Sequence, residues 1–274
     1  MTIKKYLSQI ESFKGKTIAL TGGTSGVGLC LLKYLIKKDA HVILLARNLD
    51  KANALKEQYK NIDIIKYDQS SFKSIDKAIN ELLEKYPNMD TIVLNAGTLG
   101  EKQILESGYP ATIGVNYIGA RHFIDTISPR LKNHVRFVVQ GSVVAGIKVK
   151  KKVDLTRVKG TFPQYNISKA YLESYVYELY KDNKYKNIEY VITEPGVTAT
   201  NITRYFNAVI RFSGKIFLTI FLHSPKKASL TLLTGISNKA KNGDFIRPRG
   251  LFKISGFPKI KDLPVKRRRP YLFE

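Results

Sequence analysis

Apolar runs rich in Val, Ile and Leu recur along the chain, and helical periodicity fills the gaps between them. The runs are Lys16–Thr21, His41–Ala46, Asp63–Tyr67, Thr91–Asn95, Val135–Gly141 and Ile188–Thr193, with a further one at Asp244–Arg247. Most are near-continuous in apolar residues, the mark of a strand covered on both faces. The intervening segments Gly26–Lys38, Asn48–Tyr59, Ser71–Tyr86, Pro110–Leu131, Pro163–Asn183 and Pro225–Lys241 read as helices. Parallel strands need long crossovers, and helices supply them. The pattern predicts an α/β fold: a doubly wound, mostly parallel sheet in a single domain. No composition break divides the 274 residues. Residues 1–247 read as one domain with an aromatic and basic segment at 201–224. Residues 248–274, rich in Pro, Lys and Arg, read as an extended basic C-terminal tail.

The first strand runs into Thr21-Gly22-Gly23-Thr24-Ser25-Gly26-Val27-Gly28, followed by a helix with Leu29, Leu32, Leu35 and Ile36 on its apolar positions. Glycines allow a tight turn and a close approach of backbone to pyrophosphate, which then meets the N–H groups and positive dipole end of the helix. Gly22, Thr24, Ser25, Gly26, Val27 and Gly28 are therefore candidate ligands of a dinucleotide on a Rossmann fold. An ordinary Gly-rich turn is the alternative. The second strand ends in Ala46-Arg47-Asn48. A carboxylate there would take the adenosine ribose hydroxyls of NAD. Ala46 offers none, and the Arg47 guanidinium suits a 2′-phosphate. NADP(H) is the expected cofactor, against the alternative of Arg47 as a solvated residue at a helix start. Asp50 lies too far into the helix for the ribose role.

Tyr-x-x-x-Lys places both side chains on one helical face. The pattern occurs at Tyr34/Lys38, Tyr165/Lys169, Tyr177/Lys181 and Tyr180/Lys184, so alone it selects nothing. Context favours Tyr165 and Lys169, which open a helix downstream of the apolar strand that delivers Ser142. The other pairs read as packing tyrosines with solvated lysines.

Thr21-Gly22-x3-Gly26-x-Gly28, Asp68, Asn95-Ala96-Gly97, Asn116, Ser142, Tyr165-x3-Lys169 and Pro195-Gly196 together resemble the short-chain dehydrogenase/reductase family in type, order and spacing. The likeness runs over roughly residues 14–246. Tyr67-Asp68-Gln69-Ser70-Ser71, Gly108-Tyr109 and Gly114-Val115-Asn116-Tyr117-Ile118-Gly119 are similar to its retinol dehydrogenase-like branch. The resemblance implies an oxidoreductase interconverting a carbonyl compound and an alcohol. It implies Tyr165 as general acid in reduction and base in oxidation, with Lys169 favouring the phenolate and bonding the nicotinamide ribose. Ser142 would hold the substrate oxygen, and Asn116 would support a proton-resupplying water chain. Asp68 and Asn95-Ala96-Gly97 would border adenine and its ribose. Thr198 and Thr200, after Pro195-Gly196, would reach the nicotinamide amide or the phosphates.

The chain departs from the family pattern in two places. Ser142 and Tyr165 stand 23 positions apart, a wider gap than in compact family members, and Val143–Lys159 between them reads as a lid or substrate-facing loop. Pro110 stands where related chains often carry an acid. His41, His122, His134 and His223 show no metal-ligand spacing with one another or with Cys30, so no metal is expected. Glu194, before Pro195-Gly196, receives no assignment.

The net charge of +24 concentrates in Lys148–Lys159, Arg204–Lys227 and the run Lys266, Arg267, Arg268 and Arg269. Such charge attracts anionic substrates, anionic lipid or nucleic acid; lysines on solvated faces are the alternative. No nucleic-acid motif accompanies the basic runs. The aromatic residues of 201–224 suit a lipophilic small-molecule substrate, peripheral contact with an anionic membrane, packing against the domain or a second copy of the chain in a homo-oligomer. The polar opening MTIKKYLSQIESFKGK is no secretory signal, and the lone Cys30 fits a reducing, cytoplasmic setting. A non-catalytic NADP-binding sensor on the same fold is the rival reading; the intact Asn116, Ser142, Tyr165 and Lys169 set argues against it.

Overall fold

Side chains on successive strand residues point to opposite faces, and here both faces are dry. Ala19, Ile43 and Leu45 enter one apolar cluster, while Ile18, Leu20, Val42 and Leu44 enter the other. The structure, a computed structural model, describes residues 1–150, 152–198, 223–250 and 255–273. Its strands are β1 (Thr17–Thr21), β2 (His41–Ala46), β3 (Ile62–Lys66), β4 (Thr91–Leu94), β5 (Val135–Gln140), β6 (Ile188–Thr193), β7 (Asp244–Pro248) and β8 (Pro258–Asp262). They form one sheet in the order β3-β2-β1-β4-β5-β6-β7-β8. All pairings are parallel except β7 with β8. The expected single-domain, doubly wound α/β architecture is what forms.

Helices α1 (Ile3–Leu7) and α2 (Gly26–Ile36), with Pro225–Ile236, cover one face; α3 (Leu49–Gln58) adds Ala52 to it. The opposite face carries α4 (Phe72–Lys85), the segment from Ala111 to Ile127, and α7 (Thr161–Asp182). The helix expected over Pro110–Leu131 is not continuous. It consists of α5 (Ala111–Ile113), a π-helical turn at Gly114–Gly119, α6 (Ala120–Ile127) and a 3-10 turn at Ser128–Arg130. Helix α8 (Pro225–Ile236) opens with Ser224 capping the Lys227 N–H at 3.3 Å.

The extended tail expected from residue 248 is instead folded onto the domain. β7 runs to Pro248, β8 pairs antiparallel with it, and Leu263 and Leu272 are buried in the core. Arg267 and Arg269, read as part of a solvated basic run, are 4% and 3% exposed. Apolar anchors spaced among the cations hold this segment in place.

Strand order reverses between β1 and β4, which lie side by side but lead their helices to opposite faces. Such a switch opens a crevice at the carboxyl ends of the strands. No described helix is long and apolar enough to cross a membrane.

Candidate active site

The crevice is walled by the turn after β1 and the turn after β4. Gly22 and Gly26 bend the first turn with φ of +68° and +55°. A β-carbon on Gly28 would stand 2.1 Å from the Gly22 carbonyl oxygen, so only glycine lets the first turn of α2 close on the loop. Ser25, at the N-cap of α2, makes no side-chain capping bond. The first N–H groups of α2 therefore keep their need for an outside acceptor, as a pyrophosphate site requires. Thr21 Oγ1 accepts the N–H groups of Asn95 and Ala96, each at 3.0 Å, while Asn95 Nδ2 donates to the carbonyls of Thr21 and Gly22. These bonds lock the two turns together.

At the end of β2, Ala46 is buried and Arg47 is exposed, its guanidinium in no ion pair among the described residues. Lys66, paired in register with Ala46, donates to the Arg47 carbonyl at 2.6 Å and brings a second cation to this corner. The sequence reading passed over Lys66, because only strand pairing puts it beside Arg47. Asp68 is half-buried, and its Oδ1 accepts the Ser70 N–H and hydroxyl. The uncapped helix and the glycine contact fit the pyrophosphate of a dinucleotide.

The other candidate groups gather beyond the β4 turn. Asn116, on the π-helical turn, is buried; its Oδ1 accepts the Thr98 N–H at 2.7 Å, and its Nδ2 donates to the Thr98 carbonyl at 2.9 Å. Nδ2 also reaches Ser168 Oγ at 3.2 Å, tying the turn to α7. Lys169 is 4% exposed, and its Nζ donates to the Gln140 carbonyl at the end of β5, at 2.8 Å. A β-carbon on Gly97 would stand 3.1 Å from Asn116 Oδ1 and 3.7 Å from Lys169 Nζ, so all three residues meet at one point. Ser142, just past β5, lies beside the Tyr165 phenol. Burial raises the Tyr165 pKa, and the neighbouring Ser142 hydroxyl opposes the rise. Burial also depresses Lys169 to about 8, opposed by Glu173.

The remaining Tyr/Lys pairs serve packing. The Tyr34 phenol donates to the Lys226 carbonyl, Lys38 to the Ile10 carbonyl, and Arg268 lies over the Tyr177 ring at 5.2 Å. Gly196 turns the chain after Pro195, whose carbonyl accepts from His223 Nδ1 at 2.9 Å; His223 Nε2 accepts the Gly256 N–H at 3.3 Å. With one nitrogen donating and the other accepting, His223 is a neutral structural residue. Thr198 pairs with His223 in an isolated bridge. Thr200, expected as a cofactor contact, and residues 201–222, expected as most of the substrate segment, lie outside the described residues. No metal cluster occurs among the described residues. Glu173 and Arg267, beneath Ser142, were missed by the sequence reading. Glu173 carried a signal, one helical turn beyond Lys169 on the same face, whereas Arg267 carried none.

Fold and site together define a doubly wound nucleotide-binding protein with a Tyr/Lys/Ser/Asn group at the rim of its crevice. Residues 16–210 match the family described as short chain dehydrogenase. The chain belongs to the short-chain dehydrogenase/reductase family and is an oxidoreductase whose fold binds a nicotinamide cofactor. It is 29% identical over 221 residues to the short-chain dehydrogenase TIC 32 B, chloroplastic, of Brassica napus, covering 70% of this chain and 67% of that one. It is 25% identical over 204 residues to an 11-beta-hydroxysteroid dehydrogenase of Pinus massoniana, covering 71% and 54% respectively. Among solved structures it resembles the Pseudomonas aeruginosa RhlG/NADP active-site complex, with a TM-score of 0.65 at 23% identity over 83% of this chain and 91% of that one.

Proposed function

We propose that the protein is an NADP(H)-dependent oxidoreductase that interconverts a lipophilic carbonyl compound and its alcohol, with Asn116, Ser142, Tyr165 and Lys169 as its working residues. The observation that carries this reading is the meeting of Asn116 and Lys169 at Gly97, with Tyr165 one helical turn before Lys169 on α7 and Ser142 beside its phenol. A nicotinamide cofactor bound in the crevice supplies or accepts the hydride. Gly22, Thr24, Ser25, Gly26, Val27 and Gly28 would hold its pyrophosphate, Arg47 with Lys66 its 2′-phosphate, and Asp68 with Asn95-Ala96-Gly97 its adenosine. Pro195, Gly196, Thr198 and Thr200 would flank the nicotinamide.

The substrate oxygen sits between the Ser142 hydroxyl and the Tyr165 phenol. In reduction Tyr165 Oη gives it a proton while Ser142 donates a hydrogen bond to the developing charge. The raised Tyr165 pKa keeps that proton in place at neutral pH. The neighbouring Lys169 ammonium stabilises the phenolate left behind. Asn116, clamped to Thr98 and Ser168, holds the path by which solvent restores the proton. The lipophilic substrate class is supported by the aromatic composition of 201–224 and by the steroid named for the Pinus relative.

The test follows NADPH absorbance with lipophilic aldehydes and ketones. Tyr165→Phe should lower turnover by roughly 10²–10⁴-fold, the usual contribution of a positioned proton donor, with NADPH binding kept. Tyr177→Phe should leave turnover near wild type. Inactivity of Tyr177→Phe with an active Tyr165→Phe would move the site elsewhere. Arg47→Ala should weaken NADPH and leave NADH unchanged; equal wild-type affinity for the two cofactors would overturn the NADP assignment.

A further inference from the structure

A charged cluster lies beneath the Ser142 end of the site, in the interior. Glu173 and Arg267 are 1% and 4% exposed, and Glu194 is fully buried. Arg267 Nη1 stands 3.1 Å from Glu173 Oε2 and 3.3 Å from Glu194 Oε2. Glu173 in turn accepts the Ser142 N–H on Oε1 at 3.0 Å. Arg267 also donates to the carbonyls of Ser142, at 3.5 Å, and Val143, at 3.3 Å. The backbone that carries the Ser142 hydroxyl is thus held on its N–H side from α7 and on its carbonyl side from the C-terminal segment. A β-carbon on Gly141 would stand 2.1 Å from Glu173 Oε1, so the carboxylate occupies the space that a larger residue before Ser142 would need. Phe245 on β7 floors the cluster, its ring 5.1 Å from the Arg267 guanidinium.

The cluster also sets the charge around Lys169. Glu173 lies one helical turn from Lys169 and favours its ammonium form, while Arg267 favours the Glu173 carboxylate. Removing Arg267 takes away a cation that both Glu173 and Glu194 face, and breaking a buried pair in this way is strongly destabilising. Lys169 is the other cation that acts on Glu173, and turning toward it would cost its bond to Gln140.

We propose that Arg267, brought in by the folded C-terminal segment, is a positioning residue that fixes Glu173 and the Ser142–Val143 backbone and thereby sets the Ser142 hydroxyl against Tyr165. This assignment rests on the roles proposed above for Ser142 and Tyr165. It makes the segment after β7 part of the working site.

The test compares the full-length wild type, Arg267→Gln, Arg267→Lys and Lys266→Gln, the last an exposed neighbour. Hydrogen exchange of a peptide spanning 141–147 reads the clamp directly. Arg267→Gln should speed exchange there by about tenfold or more, with the protection of β1 and β2 kept, as for a local opening. Its kcat for carbonyl reduction should fall by about tenfold or more, while the NADPH dissociation constant changes by less than about twofold. Lys266→Gln should match wild type in every measurement. If Arg267→Gln fails to fold, Arg267→Lys decides: it keeps the charge but loses the branched reach to Val143, and should still show faster exchange at 141–147. Unchanged exchange in a folded variant overturns the proposal. So does a parallel loss of kcat and NADPH affinity, which would mark a general structural role. A wild type that turns over no carbonyl compound would defeat the proposed function, yet the exchange result would still decide the clamp.

Discussion

Burial holds the Lys169 ammonium at a pKa of about 8, below the ordinary lysine range, with Glu173 opposing the shift. The free enzyme therefore carries the Lys169 charge below about pH 8 and loses it above. Because kcat/KM for NADPH reports groups of the free enzyme, it should be level below that pH and fall above it. In Lys169→Arg, whose charge is permanent, this limb should be absent whatever the absolute rate; a limb that persists would belong to another group. The stability effect has the opposite sense. Between about pH 8 and the unfolded lysine value near ~10.4, the unfolded chain binds a proton that the native chain does not, so this residue's contribution to stability rises with pH there. At this scale the sequence was informative where residues lie close along one helix or strand end. Tyr165, Lys169 and Ser142 could be chosen from context, and Glu173 stood at helical spacing from Lys169. Arg267 and Lys66 could not be found, because their partners are set by how the sheet closes.

The turn between β1 and α2 is the element that the cofactor reading depends on. Gly28→Ala would drive a methyl group into the Gly22 carbonyl, which is backbone and has no rotamer to yield. Overpacking of this kind costs about 1–3 kcal/mol, and relief must come from moving the loop that faces the pyrophosphate. NADPH affinity should fall by about tenfold, some 1.4 kcal/mol, in a protein that remains folded; a fluorescence titration checks it. Affinity equal to wild type would mean that the dinucleotide does not lie over this turn. The strands were legible almost to the residue, since a doubly covered strand is apolar throughout and its ends are abrupt. His41–Ala46 and Ile188–Thr193 coincide with β2 and β6. The π-helical turn at Gly114–Gly119 was not legible, because reading by helical period assumes an even winding and cannot show an extra residue in one turn. Strand β8 escaped for another reason. Pro258-Lys259-Ile260-Lys261-Asp262 carries the proline and charges of an edge strand, the composition that also marks a loop.

Across the whole molecule, 46 lysines and arginines face 22 aspartates and glutamates. Only Lys169, Arg247, Arg267 and Arg269 are buried cations among the described residues, so most of the lysines and arginines described lie where solvent and salt reach them. The described surface ion pairs, such as Lys16–Asp90 and Lys56–Asp63, hold half-exposed side chains. Pairs of that kind contribute about 0–1 kcal/mol each, and salt weakens them. Self-repulsion among the excess cations acts in the other direction: it opposes the compact state, and salt relieves it. The two effects predict opposite signs for the response to ionic strength. At +24 the repulsion should win. The screening length shortens from about 30 Å at 0.01 M to about 8 Å at 0.15 M, which removes distant repulsions first and leaves pairs in direct contact partly intact. The thermal midpoint should therefore rise between these concentrations. Each kcal/mol gained appears as about 2–4 °C for a domain of 150–250 residues, and slightly less for a longer one. NaCl and KCl should act alike, because screening depends on ionic strength and not on the ion. A midpoint that falls with either salt would mean that the surface ion pairs outweigh the repulsion, and that the positive charge is compensated locally despite its excess.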